Sequence, residues 1–277
     1  MTTIERHHAL SPTAIAGMLS QPARDDEPLD TRLRTTLVER LQRLSTLRGP
    51  RIRLDAFVVE RGALTSSPFA WSARTARRSL GTRATRLSAN GDERDVLTAA
   101  RREIERQCDR SVRGLLRPGA LGSWLTGASA AVRAECALEA ATWASGLLML
   151  LAPERTGIRV GIADAWFDVP GSRTTLHARR DATTPQGDGR RGAMLRCSDG
   201  VPGPLAVHGL VVDGLVAALS ASNALAPSRV LGAWPDAGVV LVAEVDPAAI
   251  RLGAQLLERA ARVRHDAPMT TSELVAA

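Results

Sequence analysis

The sequence predicts an α/β protein, a mixed β-sheet flanked by helices, with a mainly helical and arginine-rich N-terminal region. Three observations predict it. A hydrophobic content of 44% supports a real core. Residues 131–264 read as α-β-β-β-α-β-β-α, an order that buries apolar surface by packing helices on a sheet. The charge is divided: residues 1–125 carry 22 Arg against 14 acids, a net +8, whereas residues 126–277 carry 14 Arg against 15 acids, a net −1. The expected organisation is a helical region over 1–125, an α/β core over 131–265 and a frayed tail over 266–277.

In chain order, the first ten residues, with His7 and His8, are expected to fray. Ser11 and Pro12 open a short helix, as a cap and a first-turn proline do. Residues 21–28 read as a loop. Leu33, Leu37, Leu41 and Leu44 repeat at helical spacing, so a helix is expected from Leu29 to Leu47, stopped by Gly49-Pro50. Residues 51–59 alternate as a strand would. Ser72 caps a short helix that Gly81 is expected to end. A longer helix follows from Glu93 to Leu116, with the stripe Leu97, Ala100, Ile104, Cys108, Val112 and Leu115, then a linker from Trp124 to Ala130. Next come a helix over Ala131–Leu151, strands over Gly157–Val169 and Thr174–Ala182, a loop, and a strand over Ala193–Ser198. A helix spans Leu205–Ser222. Asp236-Ala-Gly turns a hairpin between Ser228–Pro235 and Val239–Val245. Pro247 begins the last helix, which ends near Arg264.

Composition narrows the function classes. All 36 basic residues are arginine, aromatics make up 3% and tyrosine is absent, so the core is built from Ala, Val and Leu. Rich use of Ala, Arg and Gly points to a GC-rich bacterial genome. Cys108, Cys136 and Cys197 are too widely spaced for a zinc site and read as free thiols in a reducing compartment. No apolar run is long enough to read as a membrane span, and the apolar stretch Ala140–Ala152 reads as a buried helix. The expected protein is soluble, cytoplasmic and without a membrane partner.

A basic half joined to a near-neutral half suggests an anionic partner, nucleic acid above all; the alternative is ordinary solubility in an arginine-rich proteome. Arg74, Arg77, Arg78, Arg83 and Arg86 form the sharpest basic cluster, with no acid between Arg61 and Asp92. Arg74, Arg77 and Arg78 share one helical face. Phe69 and Trp71 beside them would either stack on bases or anchor the helix, and scarcity of aromatics favours anchoring. A second stripe, Arg102, Arg106, Arg110, Arg113 and Arg117, is interrupted by Glu103, Glu105 and Asp109. Contacts of this kind grip phosphate without reading sequence.

The element order from residue 131 to 264 resembles the PD-(D/E)XK nuclease superfamily, particularly its RecB-like and Cas4-like branch. The resemblance implies a restriction-endonuclease-like sheet that holds magnesium and cuts DNA or RNA. Glu139, or else Glu135, matches the acid on the first core helix. Leu176-His-Ala-Arg-Arg-Asp181 matches the strand ending in an aspartate. Met194-Leu-Arg-Cys-Ser-Asp-Gly200 matches the strand that carries an acid, a spacer and a lysine. Here Arg196 stands in the acid's place and Ser198 in the lysine's. A guanidinium where a metal-ligating carboxylate belongs opposes metal binding, and serine cannot supply the lysine's charge. Glu139, Asp181, Arg196 and Ser198 therefore read as vestiges of a catalytic site. The resemblance implies a pseudonuclease that binds nucleic acid, with no cofactor unless residual magnesium-dependent activity survives. An accessory role beside a protein partner in DNA repair or defence follows, and the alternatives are a protein-interaction scaffold and a residual nuclease.

Other motifs carry less. Gly187-Asp-Gly-Arg-Arg-Gly192 fits GxGxxG but precedes a strand, whereas a phosphate cradle must lead into a helix. Asp164 and Asp168 could combine with Asp181 and Glu139 into an acidic cluster, with Asp164 and Asp181 as weak metal candidates; a strand-end turn before Pro170 is the favoured explanation. His177 and His208 are read as core or surface histidines.

Overall fold

The structure, a computed structural model, describes residues 4–8, 15, 17–18, 29–43, 52–60, 71–116, 119–151, 158–160, 164–184, 192–220 and 226–266. The expected helix at Ser11, the loop at 21–28, Phe69, the loop residues 185–191 and the tail beyond 266 lie wholly or almost wholly outside the described residues. The fold class is α/β with mixed sheets, as expected. The chain divides into two compact units, but not at residue 130. An α/β unit comprises residues 1–9, 19–66 and 163–277, and a helical unit comprises 10–18 and 67–162. The helix expected to open the α/β core thus belongs to the helical unit, and the segments around 31–42 and 52–60 belong to the α/β unit.

In the α/β unit, helix α1 (Thr31–Gln42) starts where the Asp30 carboxylate accepts from the Leu33 amide at 2.6 Å. Its leucines at 33, 37 and 41 enter the main core. Strand β2 (Ile52–Asp55) ends early, and residues 56–60 turn into the short helix α2 (Ala56–Glu60) instead of extending the expected strand. Asp55 accepts from the Val58 amide at 3.3 Å, so a polar residue in a strand-like run started a helix. Among the first ten residues, those described do not fray: β1 (Ile4–His8) pairs antiparallel with β9 (Val239–Glu244).

The strands expected in one sheet fall into two. In the first, the order β1-β9-β8-β7-β6 joins β6 (Ala182–Thr183), β7 (Ala193–Cys197) and β8 (Arg229–Trp234). β7 is antiparallel to β6 and parallel to β8. The second has the order β2-β5-β4, with β4 (Ala165–Asp168) antiparallel and β2 parallel to β5 (Thr174–Ala178). The expected strand over 174–182 is split by Arg179, Arg180 and Asp181. Helix α7 (Ala206–Ser220) lies against strands of both sheets and against α2 and α8 (Pro247–Asp266). That enclosure is why its sequence is apolar on every side. Its own Leu210 and Leu215 are fully buried, as are Leu54 and Leu176 of the strands it packs on. Each stabilises the unit by about 2 kcal/mol relative to an exposed position.

The helical unit is built by α3 (Ala73–Ala89), α4 (Val96–Val112), α5 (Leu121–Gly127) and α6 (Ala130–Leu151), with the two-residue strand β3 (Arg159–Val160) after them. Ser72 and Thr75 form a capping box at the start of α3, as the serine predicted. Gly81 does not end that helix. It lies against Trp143 of α6, where a Cβ would overlap the indole, so the missing side chain serves close packing instead. The Trp124 linker is helix α5. On α4 the buried face is Ala99, Ala100, Glu103, Ile104 and Gln107, whereas Val112 and Leu115 of the expected stripe are 77% and 63% exposed. α6 runs 22 residues, close to the expected Ala131–Leu151, and is long and apolar enough to cross a membrane, whereas the sequence showed no apolar run of that length; half of its apolar window is buried in the unit, where it packs against α3 and α4.

Candidate functional site

Arg196 sits on β7, whose five residues are all buried, and its side chain is 1% exposed. An isolated guanidinium could not remain there. Its Nη1 donates to Asp213 Oδ2 at 2.9 Å and its Nη2 donates to Glu60. Asp213 comes from α7 and Glu60 from the end of α2. Gly209 makes room for the Glu60 carboxylate, which a Cβ at that position would overlap. Trp234 lies 5.9 Å from the guanidinium carbon. Burial disfavours the cation, but the two carboxylates outweigh it and raise the Arg196 pKa above its ordinary value. Two acids face one cation, and the surplus falls on Asp213. Burial pushes its carboxyl up to about 6 despite the attraction of Arg196 and Arg179.

The resemblance groups Arg196 with Glu139, Asp181 and Ser198 as vestiges of one site; the structure gives its guanidinium Asp213 and Glu60 instead. Asp181 is buried and spends one oxygen on the Cys197 amide at 2.7 Å, with Arg179 Nε 3.8 Å away. Its carboxylate thus ties the bend after β5 to the end of β7. Ser198 donates its amide to Ala233 O at 2.8 Å, continuing the parallel ladder. Glu139 lies in the helical unit, 3.9 Å from Arg77. The four vestigial candidates are thus distributed between two units, and Arg196 is held by residues that motif matching could not supply.

Asp164 does not join Asp181 either. It lies just ahead of β4, where its Oδ2 is 3.0 Å from His177 Nε2 and its Oδ1 accepts from the Arg180 amide at 3.2 Å. Burial, the largest influence, raises its pKa, but the His177 hydrogen bond, the Arg180 amide and nearby cations lower it on balance. His177, on β5, also meets Arg53 and Asp55 of β2 and Trp166 of β4. Asp168 accepts from Thr175 Oγ1 at 2.6 Å. His177 is thus the centre of a polar cluster, not an isolated core histidine.

In the helical unit the basic cluster is partly engaged by acids from other helices, which the acid-free stretch could not reveal. Arg77 faces Glu139 and lies 5.4 Å from the Trp143 ring; Arg83 Nη1 donates to Glu103 Oε1 at 3.0 Å. Arg78 is partly buried, while Arg74 and Arg86 are exposed on α3. On α4, Arg106 donates to Glu103 at 2.8 Å and Arg102 to Glu93 at 2.6 Å. Trp71 Nε1 donates to Gly119 O at 2.9 Å, an anchoring contact. Unit by unit the charge division is softer than by halves but keeps its direction: the helical unit holds 15 Arg against 9 acids, a net +6, and the α/β unit 21 against 20, a net +1.

Glu60, Asp213, Arg53 and Asp55 were missed by sequence reading. Asp213 had a signal: an acid in the middle of Leu210-Val-Val-Asp-Gly-Leu-Val216 demands a buried partner. Among the described residues no three His, Cys, Asp or Glu side chains gather as a metal-binding group. No protein-family model, no characterised protein and no solved structure matches this chain.

Proposed function

We propose that this chain is a catalytically inactive, nuclease-fold-related protein that binds DNA or RNA by its phosphates through the helical unit, as an accessory subunit in repair or defence. The observation that carries the reading is Arg196. It occupies the position where the resemblance expects a metal-binding carboxylate, and Asp213 and Glu60 neutralise it in the core. The run β6, antiparallel β7, α7 and parallel β8 supports the same reading, since it is the strand-strand-helix-strand order the resemblance expects. Binding is supported by the net charge of the helical unit and by the exposed Arg74 and Arg86.

Filter binding to double- and single-stranded DNA and RNA over a salt series tests it. Affinity falls steeply with salt, and Arg74→Glu with Arg86→Glu flattens the log–log slope by about two, one per lost phosphate contact. Absence of binding at low salt, or binding without a salt slope, rejects the proposal. Magnesium- or manganese-dependent cleavage that Asp181→Ala abolishes would reject its inactive half.

One observation favours a protein-interaction scaffold instead: Arg77 and Arg83 are engaged within their own unit, and Val112 and Leu115 are exposed at the end of α4. That reading expects weak nucleic-acid binding that the double charge reversal leaves unchanged.

A further inference from the structure

The three-stranded sheet carries a polar face that phosphate binding does not use. Its register sets Asp55, His177 and Trp166 in one cross-strand row and Arg53, Thr175 and Asp168 in the next row on the same side. Leu54, Leu176 and Phe167 alternate to the other side, where they join the core.

His177 is almost fully enclosed in this face, and its two ring nitrogens meet different demands. Nε2 has Asp164 Oδ2 at 3.0 Å, a partner that only accepts when ionised. Nδ1 has two neighbours of opposite need: Arg53 Nη2 at 2.8 Å, which only donates, and Asp55 Oδ2 at 3.9 Å, which only accepts when ionised. One nitrogen cannot serve both. In the neutral ring the proton sits on Nε2 toward Asp164, and the Nδ1 lone pair accepts from Arg53. A second proton turns Nδ1 into a donor, which repels Arg53 and suits Asp55.

We infer that His177 is a proton-operated latch: taking up a proton transfers its Nδ1 contact from Arg53 to Asp55 and leaves the half-exposed Arg53 guanidinium with its 3.4 Å ion pair to Asp55 and its place over Trp166. Asp55 passes the change on, because its other oxygen caps α2 through the Val58 amide, and α2 ends in Glu60, a counter-ion of Arg196. Trp166 registers it. Its ring centroid is 4.2 Å from that of His177, Arg53 lies 5.0 Å from it, and the side chain is half exposed.

The charged groups around the ring are Arg53 and Asp55 from β2 and Asp164 from the segment before β4, with Asp168 of β4 held by Thr175. Arg179 and Arg180 follow β5; Arg179 binds Cys197 O and Asp181, and the Arg180 amide binds Asp164. α7 packs against this sheet too, bringing Asp213, which Arg196 engages, and His208. Burial is the largest influence on the ring and pushes its pKa down, as does Arg53. The hydrogen bonds to Asp164 and Asp55 outweigh them, so the exchange falls above the ordinary histidine value of 6.5.

Imidazole 15N NMR of the full-length chain, titrated between about pH 5 and 9 around the histidine range, tests the latch. His177→Gln assigns the signal, and Trp166→Phe identifies the fluorescence change that follows it. The expected His177 signal has an unprotonated Nδ1 at high pH and gains its proton with a midpoint above that of free histidine. Arg53→Gln raises the midpoint by about half a unit or more, because a competing cation is gone, and Asp164→Asn lowers it by about one unit. A proton on Nδ1 at high pH overturns the proposal in the unaltered protein, whatever the variants do. So does an Arg53→Gln midpoint that stays put or falls.

Discussion

Arg196 and Glu103 are mirror images: one buried cation held by two carboxylates in the α/β unit, and one buried carboxylate held by two guanidiniums in the helical unit. Glu103 also accepts from Gln107 at 2.6 Å. The clusters differ in where the partners sit. Asp213 and Glu60 are 2% and 19% exposed, whereas Arg83 and Arg106 are 44% and 56% exposed. Long arginine stems reach in from water and leave most of the charge solvated, but short carboxylates must be buried to reach Arg196. The Arg196 cluster is therefore committed to the fold, while the Glu103 cluster sits at a solvated boundary. The comparison teaches that chain reach, and not charge count, decides how tightly an ion cluster binds a structure.

The most severe break is Arg196→Met, which leaves two buried acids without their cation and costs about 3–5 kcal/mol by urea denaturation. Adding Asp213→Leu and Glu60→Gln should recover most of that loss, since an apolar substitute for a whole buried cluster is often neutral. If the triple variant is no more stable than the single one, the cluster contributes more than charge neutralisation.

Acidity sharpens the same contrast. The Asp213 carboxyl is raised in the folded state to about 6, above its ordinary 3.8. Its stabilising contribution is full below the ordinary value and is lost as pH rises through about 6, an effect of about 3 kcal/mol at 1.4 kcal/mol per unit. Asp55 and Asp164 are lowered and act with the opposite sign: their contributions are present above about pH 4 and are lost as pH falls below it. Stability measured across pH 4–7 should therefore decline toward neutrality, and Asp213→Asn should flatten the decline. An unchanged slope would remove Asp213 as its source.

In the helical unit the effects are smaller. Glu103→Ala frees Arg83 and Arg106 to hydrate and leaves Gln107 short of a partner, costing about 1–2 kcal/mol. Arg83→Ala costs less than about 1 kcal/mol, because a half-exposed cation returns its charge to water. A larger loss for Arg83→Ala than for Glu103→Ala would invert the comparison.

Much of the fold was legible in the chain. The apolar spacing of Leu33, Leu37 and Leu41, the Ser72 cap and the Asp236-Ala-Gly turn placed helices and a hairpin correctly, because each depends on neighbours within a turn or two. Gly81 was misread because a helix-ending glycine and a helix-packing glycine look alike until Trp143 is known to lie against it. Val112 and Leu115 were misread because periodicity locates an apolar stripe without saying where its cover ends.

By itself the sequence determined the fold class, the uneven distribution of charge and the presence of an arginine where the resemblance expects an acid, all properties of residue type and local order. Only the tertiary structure decided what that arginine touches. Glu60 and Asp213 lie 136 and 17 residues from Arg196, and the partners of His177 come from β2, from β4 and from Asp164 just before β4. Electrostatic meaning in a core is set by distances of a few ångströms between segments, and local periodicity carries no record of those distances.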